Sequence, residues 1–194
     1  MPTLHSLLQK TSSVKNICIL FVASQLVLLL MMFFTFPVIN SDIGTKAFDL
    51  QTFGYSVSTA KSIVNNLHER SLQLYFFPQL TLLDVCYPFL LALFLSSFLF
   101  RLIKITKAEN RLTSIILLIP FLAMLFDYSE NICIILMITK SIELSQLVVF
   151  LSSTFTILKG LLTSIAWLAI LLYTARWFKM KIIEKKSSAN SYKV

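Results

Sequence analysis

Glycine is scarce in this chain, three residues in 194, and charge is scarce too, with Asp, Glu, Lys and Arg together making up 13%. So few glycines leave no phosphate-cradling loop, and the chain carries no nucleotide-loop, zinc-helix or nucleophile-elbow motif. Its three cysteines, Cys18, Cys86 and Cys133, form no CxxC or metal-like spacing. They read as buried small apolar residues, with a Cys86–Cys133 bridge left open because the two sit at similar depth. There is no N-x-S/T sequon and no lipidation motif. Neither a metal nor a cofactor is called for.

What the chain has in abundance is hydrocarbon. Hydrophobic residues make up 57% of it, and the mean hydropathy is +0.80. Both lie far outside the range of soluble domains. The apolar residues gather into four blocks, near 17–37, 78–101, 112–139 and 147–173. Each is long enough to cross about 30 Å of hydrocarbon as a helix of roughly 20 residues. No block alternates polar and apolar residues as a barrel strand does, so helices must satisfy the backbone within lipid. The sequence therefore predicts an all-α polytopic membrane protein, a four-transmembrane-helix bundle. One transmembrane domain covers 1–180, and a polar, disordered tail covers 181–194. The first block, preceded by Lys10 and Lys15, is about twice the length of a signal-peptide core and reads as an uncleaved anchor.

Basic residues predict the orientation. Lys10, Lys15, Arg101, Lys104, Lys107, Arg111, Arg176, Lys179, Lys181, Lys185, Lys186 and Lys193 share one side, against Lys46, Lys61, Arg70 and Lys140 on the other. This asymmetry places both termini in the cytoplasm. It also accounts for the net charge of +8 without a nucleic-acid partner, the basic tail lying against anionic headgroups. The partner is the lipid bilayer. The sequence specifies neither an organelle nor an oligomeric state.

Outside the membrane one feature stands out. The segment 38–77 is too long for a plain connection. Within it Ala60, Ile63, Val64, Leu67 and Leu74 recur at helical spacing, opposite Lys61, Asn65, Asn66, His68 and Glu69. This predicts a short amphipathic helix on the bundle surface, either a cap or a lid over a pocket. His68 reads as a solvent-facing histidine.

Ionisable residues inside the spanning blocks carry the functional question. Asp84, Asp127, Glu130 and Lys159 all fall in the half of the bilayer nearer the 38–77 segment, or near the midplane, at about 1.5 Å of rise per residue. A lone charge at such depth costs from about 3 to well above 10 kcal/mol, so the four are expected to face one another. Asp127, Glu130 and Asn131 share a helix face by their spacing. Ser152, Thr156, Lys159 and Thr163 form a polar stripe on the fourth helix, ending near Trp167. Tyr87 follows Asp84 on the same face, and Pro88 frees a backbone carbonyl toward the same space. Ser24 and Gln25 offer the first helix's only polar groups for this interior. Asp127 and Lys159 are the pair best matched in depth. Three acids against one lysine form a set that titrates as a coupled unit.

At these residues a resemblance enters. "ERSLQLY", "LDVCYP" from Leu83 to Pro88, "FDYSENI" from Phe126 to Ile132 and "TFTILKG" around Lys159 together resemble a family of small four-helix integral membrane proteins of unknown function. The likeness covers residues 48 to about 165, and its most specific motif is D-x-x-E-N, here Asp127, Glu130 and Asn131. Where the family pattern often has Gly-Arg, this chain has Glu69-Arg70. The resemblance implies a fold and no activity.

Three functional classes follow. The cluster Asp84, Tyr87, Asp127, Glu130, Asn131 and Lys159 binds a membrane-dissolved small molecule or lipid, its head on the acids. Alternatively it belongs to an assembly subunit and only fixes helix packing, or it relays protons or cations. A carboxylate near a lysine and a tyrosine, Tyr87 or Tyr128, also holds the ingredients of acid–base chemistry, so enzymatic activity stays open.

Overall fold

The computed structural model describes residues 2–191, and the side chains of residues 4–185. Every regular element among them is helical, and four helices are long and apolar enough to cross a membrane. The helices are α1 (Pro2–Thr11), α2 (Val14–Ile43), α3 (Val57–Asn66), α4 (Glu69–Ile105), α5 (Arg111–Ile138) and α6 (Gln146–Ser191). The four spanning helices α2, α4, α5 and α6 match the four apolar blocks. α3 carries the first part of the expected amphipathic helix, with Ala60, Ile63 and Val64 buried and Lys61, Asn65 and Asn66 exposed; the expected helix breaks at Leu67 and His68, which are extended, and Glu69 and Leu74 belong to α4.

Helix ends follow local chemistry. Ser13 separates α1 from α2 and caps the latter by accepting the Asn16 N–H at 3.2 Å. α2 continues past Pro37, because that proline sits in the first turn of a resumed α-helical stretch, where no backbone donor is needed. Gly44, at φ 69°, ends it in the left-handed conformation that glycine adopts without strain. In α4, Phe77 is extended (φ −138°, ψ 127°) ahead of Pro78, the conformation a following proline favours. The spanning part of α4 thus begins where the sequence placed it. One wide, π-type turn, Met31–Thr35 in α2, sits beside the Tyr75–Leu83 stretch of α4, which is broken at Phe77, and a buried hydrogen bond from the Thr35 hydroxyl to Gln79 Oε1 joins the two.

α4 is the central helix, packed against α2, α5 and α6, and the most extensive interface joins α5 to α6. α2 rests on α4, and no substantial interface joins it to α5 or α6. α1, unforeseen as a separate helix, docks on α4 through buried Leu8 and the Thr11 hydroxyl, 2.6 Å from Ser97 Oγ.

Two apolar cores result. At the loop end, Phe48, Ile63 and Tyr75 pack with Ile134, Met137 and Val149; at the end carrying the chain termini, Ile17 and Phe94 pack with Leu99, Ala166 and Ile170. Outward-facing Phe33 and Phe34, 71% and 68% exposed, belong to the surface that acyl chains would cover. The cysteines share that outer surface. Cys18 and Cys86 are exposed, Cys133 is half-buried and all three are free, which corrects the reading of them as buried. A small apolar thiol facing hydrocarbon incurs no desolvation penalty, so nothing forces it inward.

Candidate functional site

Between the two apolar cores lies the charge cluster. The extensive α5–α6 interface brings the polar stripe of α6 against the face of α5 that carries Asp127 and Glu130. Lys159 Nζ lies 2.5 Å from Asp127 Oδ1 and 2.7 Å from Glu130 Oε2, so one ammonium bridges both acids. The Glu130 side chain is wholly buried, and its Oε1 accepts a 2.6 Å hydrogen bond from the Thr156 hydroxyl. The expected Asp127–Lys159 pair is present, with Glu130 as a third member. Each acid of this triad touches the ammonium directly, which lowers the cost of holding charge in a low-dielectric interior.

Asp84 stands outside the triad. It is 3% exposed and makes no ion pair, and its Oδ2 is buried with no hydrogen-bond partner. Asn131 touches the backbone of Asp84, not its carboxyl: Nδ2 donates to the Asp84 carbonyl at 3.2 Å. Pro88 explains why that carbonyl is free, since it stands four residues on in the helix and has no N–H to offer. The asparagine amide thus replaces the missing backbone donor from across the α4–α5 interface. Tyr128 makes a similar link, its hydroxyl donating to the Val85 carbonyl at 2.8 Å.

A cavity of about 260 Å³ opens where α2 fails to meet α5 and α6. Asp84, Tyr87, Asp127 and Lys159 line its polar end, and Met31, Leu91, Leu95 and Met124 are among the residues lining the rest. Glu130 and Asn131 lie behind this wall, as supports for the residues that face the cavity. Ser24 is buried but bonded to the Phe21 carbonyl at 2.8 Å, and neither it nor Gln25 reaches the cavity.

One further acid faces this space. Asp49, in the loop between α2 and α3, lines the cavity beside Asp84. A single helical turn, Phe48–Leu50, carries it, anchored by fully buried Ala47 and Phe48. Tyr75 completes the anchor: its hydroxyl donates to Asp49 Oδ2 at 2.5 Å and accepts the Phe48 N–H at 3.1 Å. Asp49 Oδ1 is buried without a partner. The only trace in the sequence is an acid flanked by bulky apolar residues, "AFDLQTF", within an otherwise polar loop.

The same loop is clamped to α6. The Tyr55 hydroxyl donates to Ser152 Oγ at 2.6 Å and its N–H to Ser153 Oγ at 2.9 Å. Burial pushes the Tyr55 phenol well above its ordinary range, so it remains a donor. Gly54, at φ 84°, packs so closely that an added Cβ would collide with the Ser153 hydroxyl and press on Ile157. Asp49 and Leu50 bring the loop to the cavity, and no residue of α3 lines it. His68 lies away from it, 77% exposed, with Nδ1 2.8 Å from Asp42 Oδ1.

Chemically the site combines one ammonium already shared by two carboxyls with two further carboxyls, Asp49 and Asp84, that no cation among the described residues pairs with. Among the described residues no group of three or more His, Cys, Asp or Glu is placed to hold a metal. Compared with protein-family models, curated proteins and solved structures, the chain matches none of them.

Proposed function

We propose that this chain is a multi-pass membrane protein, with both termini cytoplasmic, that binds a membrane-dissolved small molecule or lipid-like amphiphile. The polar head lies on the charged end of the cavity and the apolar body lies among the methionines and leucines. The observation that carries this reading is the cavity itself. A network that only set helix register would be packed solid, whereas here about 260 Å³ stays open beside it. An apolar cavity of about 150 Å³ already accepts benzene. Lying between α2 and the α5–α6 pair, the space adjoins the hydrocarbon from which such a ligand would come.

Proton or cation relay has less support. Beyond the cavity the bundle is filled by the second apolar core, and Ser96 and Ser97 are engaged with the Leu117 carbonyl and with Thr11. A packing role does fit the saturated triad of Asp127, Glu130 and Lys159, which leaves Asp49 and Asp84 as the groups awaiting a partner.

Filling the cavity tests the proposal. A Cβ added at Gly160, which lines the cavity, meets nothing within 4 Å, so Gly160→Leu occupies the space without a clash at its root. Native mass spectrometry is expected to find a bound amphiphile on the wild-type protein and none on Gly160→Leu, with melting preserved. A folded wild-type protein that retains nothing, and takes nothing up from a membrane lipid extract, would refute the reading. For orientation, a membrane-impermeant maleimide should label Lys61→Cys on intact cells, and Lys104→Cys only after permeabilisation. The reverse pattern would invert the topology.

A further inference from the structure

We propose that the head group taken by this cavity is a protonated amine, held between the carboxyls of Asp84 on α4 and Asp49 from the loop; this rests on the reading that the cavity binds an amphiphile. Asp84 is 3% exposed, and its Oδ2 is buried with no hydrogen-bond partner. Asp49 Oδ1 is likewise buried and unpartnered, and both acids line the same cavity. Ionised carboxyls only accept hydrogen bonds, so what this end of the cavity lacks is a cation for Asp49 and Asp84.

The charged donor nearby is already committed, and the Tyr87 hydroxyl that lines the same end of the cavity is a neutral one. The Lys159 ammonium is shared by Asp127 and Glu130, the Tyr75 hydroxyl is spent on the other oxygen of Asp49, and the Asn131 amide is spent on the Asp84 backbone. An alkylammonium brings three N–H donors and one positive charge, and so has a donor for each free oxygen. A phosphate, sulfate or carboxylate head would meet three cavity-lining carboxyls against one lysine that is already paired. A plain amine is therefore favoured over a phosphoethanolamine head, whose phosphate would enter with its ammonium. The apolar body follows from the lining, in which Met31 and Met124 provide unbranched, adaptable side chains against a flexible carbon chain. Because α2 shares no substantial interface with α5 or α6, a longer tail can continue from the cavity into the bilayer.

The test uses the full-length protein in phosphatidylcholine nanodiscs, titrated calorimetrically with decylamine, decanol, decanoate and lysophosphatidylethanolamine against protein-free discs. Decylamine is expected to bind saturably, one per chain, at least roughly tenfold tighter than each of the others. Asp84→Asn and Asp49→Asn should each weaken decylamine by about tenfold and leave decanol within about twofold. If Asp84→Asn does not fold, Asp49→Asn, in the loop, carries the test alone. Decanol binding as tightly as decylamine, with the amine indifferent to both variants, would overturn the amine assignment and leave the amphiphile reading standing. Lysophosphatidylethanolamine equal to decylamine would overturn the assignment of a phosphate-free head. No saturable binding by any of the four would remove the amphiphile reading, and this inference with it.

Discussion

Replacing Lys159 by methionine keeps the length of the side chain and deletes its charge. In the native protein that ammonium sits 2.5 Å from Asp127 and 2.7 Å from Glu130, with side-chain exposures of 18% for the lysine, 12% for the aspartate and 0% for the glutamate. Removing one member of a buried ion pair costs about 3–5 kcal/mol, chiefly because the partner is left as an uncompensated charge. Lys159→Met leaves two such partners on one helix, so its loss of stability should fall at or above the top of that range. If charge compensation is the cause, neutralising the acids restores stability. Lys159→Met with Glu130→Gln should recover part of the loss, since the glutamine can still accept from Thr156. The triple variant that adds Asp127→Asn should return to within about 1 kcal/mol of wild type, as neutral replacements of buried ion pairs often do. The measurement is reversible unfolding in detergent micelles by dodecyl sulfate titration, with helicity as the signal. A triple variant no more stable than Lys159→Met would refute the reasoning, because the lysine's shape, not its charge, would then be holding α5 to α6.

Other outcomes follow from single contacts. Asn131→Leu should destabilise by about 1–2 kcal/mol by orphaning the Asp84 carbonyl, and Pro88→Ala, which returns a backbone N–H to that carbonyl, should erase most of this cost. Strict additivity of the two changes in the same unfolding assay would show that the amide does not stand in for the missing donor. Tyr75→Phe strips a partner from both the Phe48 N–H and Asp49 Oδ2, so it should cost about 2 kcal/mol and speed hydrogen exchange at the Phe48 amide. Unchanged exchange would mean that the loop is anchored by its apolar side chains alone. Gly54→Ala, strained at φ 84° and colliding with Ser153, should cost more than about 1 kcal/mol and expose the loop to protease; cleavage no faster than wild type would contradict the tight loop–α6 contact.

Much of the fold was legible because hydrocarbon thickness leaves a coarse signature: four blocks of the right length appear in the sequence and four spanning helices in the structure. The triad was legible for a similar reason. Asp127 and Glu130 are one helical turn apart, and Lys159 lies at matching depth, so geometry along straight helices was enough. What escaped depended on irregular backbone. Asp49 belongs to a loop, where no periodicity assigns a direction to a side chain, and it reaches the cavity only because buried Phe48 and the Tyr75 hydroxyl fix one short turn. The wide turn at Met31–Thr35 and the break at Phe77 interrupt the 3.6-residue period, so face assignments made from one side of them do not carry over to the other. The cysteines were misplaced because a helix in lipid has two apolar destinations, the core and the acyl chains, and hydrophobicity does not tell them apart.

The link between Pro88 and Asn131 reaches beyond stability. A proline normally leaves its helix with an unanswered carbonyl, and here the answer is written on a different helix, far along the chain. The two positions therefore form one unit of inheritance. A lineage that lost the proline would release the asparagine from its duty, and one that lost the asparagine first would carry a buried defect until the proline changed too. Among descendants of such a chain the pair should be kept or discarded together, and the order of loss should run through position 88 before position 131.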